Sequence, residues 1–99
     1  MPTPAVSVVR ASTNDPVEGG RQFAFLLVDK FSMFSLAAAI DTMRSANRLI
    51  GRDFYGWKTV SADGEAVIAS NGLSIKIDYS VADLPPVDVI FACVGLTTE

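Results

Sequence analysis

Residues 23–49 read Phe23-Ala-Phe-Leu-Leu-Val-Asp-Lys-Phe-Ser-Met-Phe-Ser-Leu-Ala-Ala-Ala-Ile-Asp-Thr-Met-Arg-Ser-Ala-Asn-Arg-Leu49, and two hydrophobic periods follow one another within them. Residues 23–28 are continuously apolar, the pattern of a strand buried on both faces of a parallel sheet. From Leu36 onward the period changes. Leu36, Ala39, Ile40, Met43, Ala46 and Ile50, with Asn47 on the same stripe, recur at three- and four-residue steps, while Asp41, Arg44 and Arg48 lie mostly off it. Between the two periods, Ser32 is a good helix N-cap, and Phe31 at N′ can pack on Leu36 at N4 as a hydrophobic staple. Gly51 ends the helix by taking the left-handed cap conformation. The stretch therefore predicts a buried strand followed by a covering helix.

Outward from that pair, Tyr55-Gly-Trp-Lys-Thr-Val-Ser61 carries aromatic and β-branched residues and reads as a second strand, leaving at residues 62–64. Strand, helix and strand make a β-α-β unit, which is almost always right-handed. Residues 65–70 and 73–78 flank Asn71-Gly72, the signal of a hairpin whose type I′ turn needs positive φ at both central positions. Residues 80–86 allow at most a short turn of helix, because Pro85 and Pro86 lack backbone donors. Residues 87–94 read as a third buried parallel strand. This order is that of a doubly wound α/β plan with about three parallel strands, one long helix and one β-hairpin. Residues 1–20 mix Pro, Ser, Thr and Gly without sustained periodicity, apart from an apolar patch at 6–9, and predict a flexible leader, with the folded part starting near Arg21.

The chain has 99 residues, 49% hydrophobic and 19% charged, which suits one small globular domain. Its net charge is −3 and its eight Lys and Arg are scattered, so no line of phosphates can be neutralised and direct nucleic-acid binding is not expected. The apolar runs at 23–28 and 89–94 are far below the ~18 residues of a membrane span, and no basic-then-apolar N-terminus is present; a cytoplasmic protein with no membrane partner is expected. One cysteine excludes an internal disulfide, and the absence of histidine excludes the usual zinc sites and the Ser-His and Cys-His pairs. No metal, no cofactor and no catalytic residue is indicated. Catalysis would have to rest on carboxylates or a partner chain.

In open α/β sheets the ligand crevice lies beyond the carboxyl ends of the strands, here residues 29–35, 62–64 and 94–97. Asp29 and Lys30 can orient a polar ligand, and the free N–H groups at the start of the Ser32 helix can receive a carboxylate. The plainer alternative makes Ser32 a cap and Asp29 a solvated loop residue. Ser35, one turn into the helix, has no base to activate it and is a hydrogen-bonding group. Cys93 lies inside an apolar run and reads as a small buried hydrophobe, since a nucleophilic cysteine would favour the turn after the strand, a place taken by Gly95-Leu96. Phe31, Phe34, Tyr55 and Trp57 are core aromatics or, alternatively, faces for a quaternary ammonium group. Asp29, Phe31, Ser32, Ser35 and Gly95 are the candidate ligand-binding residues.

Residues 23–49 resemble the start of the GlxA-like regulators of the AraC family, most specifically through the helix and its Ser-Ala-Asn-Arg-Leu ending. Ala69-Ser-Asn-Gly-Leu-Ser-Ile and Leu84-Pro-Pro-Val-Asp-Val-Ile-Phe are similar to the hairpin and the next strand of the same proteins, so the likeness spans about residues 22–96. The resemblance implies a ThiJ/PfpI-like domain of the class I glutamine amidotransferase-like fold, a flavodoxin-like three-layer sandwich present in part. It further implies a homo-oligomer that senses a small effector, a quaternary amine or an amino acid, in the control of choline-derived amine, carnitine or arginine catabolism. DNA would be bound by a later helix-turn-helix domain. Residues 21–99 would be the first half of the sensor domain, cut before the strand that carries the elbow cysteine of the enzymatic relatives. The acid those enzymes place on the first helix corresponds to Ser35 here. An alternative is a truncated ThiJ/PfpI-type hydrolase, glyoxalase or chaperone-like protein without its catalytic half; a third is an α/β interaction module with no small ligand. If such a half folds alone, the strand at 87–94 exposes an apolar edge.

Overall fold

In a computed structural model the described residues are 7, 8 and 19–95. Along the chain they form β1 (Ser7–Val8), β2 (Arg21–Leu27), α1 (Met33–Ile50), β3 (Tyr55–Ser61), β4 (Val67–Ile68), β5 (Ser74–Ile75), β6 (Tyr79–Ser80), a 3-10 turn (Val81–Asp83) and β7 (Val89–Cys93). One sheet is parallel throughout, in the order β6-β3-β2-β7. Its central strand β2 pairs Phe23 with Trp57 on one side and with Val89 on the other. A smaller sheet has the order β1-β5-β4. Two residues of the predicted leader thus lie alongside β5, and residues 19 and 20 lead into β2; 1–6 and 9–18 are outside the described residues.

The three long strands stand in the order expected of the doubly wound plan, and β6 is a fourth parallel strand that the sequence did not announce. Its cause is local. Asp78 accepts the Thr59 N–H through Oδ2 at 2.9 Å and donates its own N–H to the Thr59 carbonyl at 3.1 Å, which lays the next residues beside Val60 and Ser61. Two residues are too few to carry a period.

The helix is capped as its sequence predicts. Ser32 Oγ accepts the Ser35 N–H at 3.2 Å, and Gly51, at φ 86°, donates its N–H to the Asn47 carbonyl. Leu36 is buried, and Met33, Ala39, Ile40 and Met43 pack beside it on a core of Phe25, Leu27, Phe31, Val67, Ala69, Ile75 and Ile77. Both staple residues belong to that core. Ile50 does not: it is 51% exposed, against its place on the predicted stripe. By Asn47 the helix has reached the first residue of β3, and little sheet remains beneath its last turn. Asn47 itself is buried and takes up both backbone polar groups of Tyr55, donating from Nδ2 to the carbonyl and accepting the N–H at Oδ1, each at 2.8 Å.

The hairpin forms with shorter strands and a different turn from those predicted. Asn71 has no positive φ; only Gly72 does, at 88°. Gly72 N–H donates to the Ala69 carbonyl at 2.9 Å around Ser70 and Asn71, which makes a three-residue loop with a glycine bulge instead of a type I′ turn. The Asn71 side chain supports it by accepting the Leu73 N–H.

Reaching β7 from β6 carries the chain past β3 and β2, and the right-handed rule places that connection on the face away from α1. Ala24 and Val60, which alternate onto that face, are buried. Among the described residues no helix longer than the 3-10 turn lies in this connection. β7 is an edge strand of the described sheet and residues 89–92 are exposed, Ile90 by 56% and Phe91 by 48%; this departs from the buried strand that its apolar run alone predicts and agrees with the exposed apolar edge expected of such a half folding alone. Phe91 stacks on Phe23 and Phe25 with its other side open.

Asn47→Ala strands both backbone groups of Tyr55, and at about 1–3 kcal/mol for each buried unpaired group a loss of about 2 kcal/mol is expected. Urea unfolding followed by circular dichroism measures it. A loss below about 0.5 kcal/mol would mean that these bonds do not tie α1 to β3.

Candidate functional site

With β3, β2 and β7 in the order second-first-third, the topological switch lies between the carboxyl ends of β2 and β7. Residues 28–35 and 94–95 meet there. Val28 donates its N–H to the Cys93 carbonyl at 3.1 Å, closing the two strands at their tips. The chain then turns, with the Phe31 N–H on the Val28 carbonyl and Lys30 in the left-handed region at φ 68°.

That turn is strapped to the hairpin. Lys30 N–H donates to the Ile68 carbonyl at 2.7 Å, Ser70 N–H donates to the Phe31 carbonyl at 2.9 Å, and Phe31 bridges Ala69. Gly95 lies against the backbone of Lys30 so closely that a Cβ there would collide with the Lys30 carbonyl oxygen. The site is thus two loops in backbone contact, held from one side by β4.

The candidate residues divide accordingly. Asp29 and Ser35 are exposed, Ser32 is half-buried with its hydroxyl engaged as the helix cap, and Gly95 forms the contact between the loops. Phe31 is 0% exposed and belongs to the core, so it presents no face to a ligand. The reason is its strap: backbone bonding to β4 on both sides of residue 31 draws the ring under the hairpin. The four aromatics considered for an ammonium cage are not gathered. Phe34 is 83% exposed, Tyr55 packs on Phe23 and Phe54, and Trp57 borders the core.

Cys93 is half-buried at the end of β7, and burial raises its thiol above the ordinary value of 9.0. At neutral pH it is a protonated thiol packed on the core. Among the described residues no three Cys, Asp or Glu side chains are grouped to hold a metal ion. The arrangement offers hydrogen-bonding groups and charges for a ligand, and no base for a nucleophile.

A second concavity lies elsewhere. A groove of about 910 Å³ runs between α1 and the exit of the hairpin, with Trp57 and Thr59 of β3 on its floor. Sequence reasoning did not single it out, although Arg44, Arg48 and Arg52 at four-residue spacing along its rim were a legible signal.

Gly95→Ala forces the two loops apart, and overpacking of this kind typically costs about 1–3 kcal/mol; a lower urea midpoint is expected, and an unchanged one would show that the contact yields freely. Because the folded thiol of Cys93 is raised, its protonated form is the one compatible with the fold, and stability should fall as pH climbs above 9.0, where the unfolded thiol ionises first. Iodoacetamide at pH 8 should label the native chain more slowly than the urea-unfolded chain. Equal rates would sink this account of the thiol.

No family model matches the chain. The regulator GbdR of Pseudomonas aeruginosa, an HTH-type transcriptional regulator, is 43% identical over 76 residues, 77% of this chain and 21% of the relative. The HTH-type transcriptional regulator GlxA of Rhizobium meliloti is 32% identical over 75 residues, 76% of this chain and 23% of its own length. A crystal structure of an AraC family transcriptional regulator from Pseudomonas putida superposes with a TM-score of 0.69 and 32% identity, over 80% of this chain and 49% of that one. The chain therefore spans about a fifth of the curated relatives it matches, and over that span it is a homologue of the AraC-family, GlxA-like transcriptional regulators.

Proposed function

We propose that these residues are the sensing and dimerisation part of a GlxA-like AraC-family regulator of amine or amino-acid catabolism, and that they carry out no chemistry. Residues 21–99 are on this reading the first half of the sensor domain, acting in the cytoplasm, with DNA contacted by a helix-turn-helix elsewhere in the regulator. The observation that carries the reading is the likeness to transcriptional regulators in both sequence and structure. The chemistry of the strand ends supports it: on the family resemblance Ser35 corresponds to the helix position where the enzymatic relatives carry an acid, and Cys93 is a packed, protonated thiol in a chain without histidine. No helix among the described residues is long and apolar enough to cross a membrane.

The effector of this proposal is a quaternary amine or an amino acid held between the β2 and β7 ends, with Asp29 facing its cation and Ser32 and Ser35 hydrogen-bonding its polar groups. Glycine betaine, carnitine and arginine are the compounds to test by thermal melting of the 99-residue chain. Binding to the folded state alone stabilises by about 2.7 kcal/mol at one hundred times Kd, so a clear upward shift is expected with one of them and a smaller one in Asp29→Asn. No shift with any of the three would overturn the sensor reading. Association between copies belongs to the same proposal, supported by the uncharged, exposed β7 edge. Ile90→Lys should reduce associated species in sedimentation velocity; an unchanged distribution would remove β7 from the interface.

A further inference from the structure

We propose that the groove between α1 and the hairpin exit binds a small amphipathic carboxylate, a single negative charge on a short apolar body. This site is separate from the strand-end mouth and does not rest on the regulator reading. Its floor is mostly apolar, built from Leu36, Ile40, Trp57 and Ile75 beside Thr59, and its volume of about 910 Å³ lies within the range of small-molecule sites.

The charge on the rim selects the ligand. Arg44, Arg48, Arg52 and Lys76 line the groove, four of the chain's eight Lys and Arg, in a protein of net charge −3. Three acids line it as well, Asp41, Asp53 and Asp78, so the formal balance is four minus three, or +1. Two of those acids are engaged within the fold. Asp41 accepts from Arg44 Nε and Nη2 at 3.0 and 2.8 Å, and Asp78 accepts the Thr59 N–H. Among the described residues neither Arg48 nor Lys76 forms an ion pair. Two cations without ion-pair partners, one on the helix rim and one on the hairpin exit, thus flank an apolar floor. A guanidinium presents parallel N–H donors that match a carboxylate, while the small net charge of the rim disfavours a dianion. The apolar floor then takes a chain or ring of a few carbons, whose burial adds to the ion pair.

Trp57 is the sole tryptophan and lies in the groove, so its emission reports occupancy directly. The test titrates the 99-residue chain with hexanoate, hexylammonium and hexanol. A saturable change is expected with hexanoate alone. Losing a charge-assisted hydrogen bond should weaken it about tenfold in Arg48→Gln, with part of the affinity restored in Arg48→Lys. Arg48 is exposed, so its variants should keep the parent circular dichroism; Lys76→Gln, from the opposite wall, gives an independent reading and the same direction of effect. The proposal is overturned by no response to hexanoate, by an equal response to hexylammonium or hexanol, or by an unchanged Kd in both glutamine variants. It is equally overturned by a dimer that Arg48→Gln dissociates, because the groove would then belong to a second copy of the chain. Failure of this titration leaves the amine-melting result standing, and the reverse holds too.

Discussion

The parallel pairing of β2 on both of its edges is the constraint on which the other elements depend. Each N–H and C=O of a buried strand needs a partner, and β2 finds them in β3 on one side and β7 on the other. Parallel neighbours cannot be joined by a tight turn, so the chain must cross over each time, once through α1 and once through the long return that includes the hairpin. Phe25 and Leu27 then face α1 and the hairpin, while Ala24 is buried on the other side. Both the placement of the helix and the meeting of two loops at the β2 and β7 ends follow from this one pairing.

The hairpin is more than decoration on that frame. By bonding to both sides of Phe31, it draws that residue into the core while residues 28–30 stay exposed, and sets Lys30 in the left-handed region, against Gly95. Lys30 accepts a conformation that costs an ordinary residue roughly 1–2 kcal/mol, and its backbone bond to Ile68 helps to offset it. A mouth held by backbone contacts results, in which polar groups remain at the rim and the aromatic ring is withdrawn into the core.

Charge is distributed unevenly over the same fold. The acidic chain gathers half of its cations along one groove, where one acid is held by a neighbouring arginine and another by a backbone amide. The strand-end mouth has no comparable concentration. The position of Asp29, Ser32 and Ser35 at the strand-end mouth was legible because crevices in this fold class form at strand ends, a rule that needs only the strand order. Phe31 was legible as a staple against Leu36, but its complete withdrawal from the mouth was not, since nothing in its neighbours reveals that a hairpin some forty residues later will bond to it. The arginine spacing was visible, but a helix rim becomes a groove only when a second wall is set opposite.

What the sequence by itself determined are the features with a local cause: the continuous apolar run of β2, the stripe and both caps of α1, the aromatic β3 and the existence of a hairpin at Asn71-Gly72. These depend on period, capping chemistry and turn residues, all of which act within a few positions of one another. Tertiary structure decided the rest. It made Gly72 alone left-handed within the hairpin turn, recruited Tyr79 and Ser80 as a fourth parallel strand, left Ile50 off the core and exposed the apolar run of β7. Each of these outcomes depends on which distant backbone lies alongside, and an apolar run is silent on whether its neighbour will be protein or water.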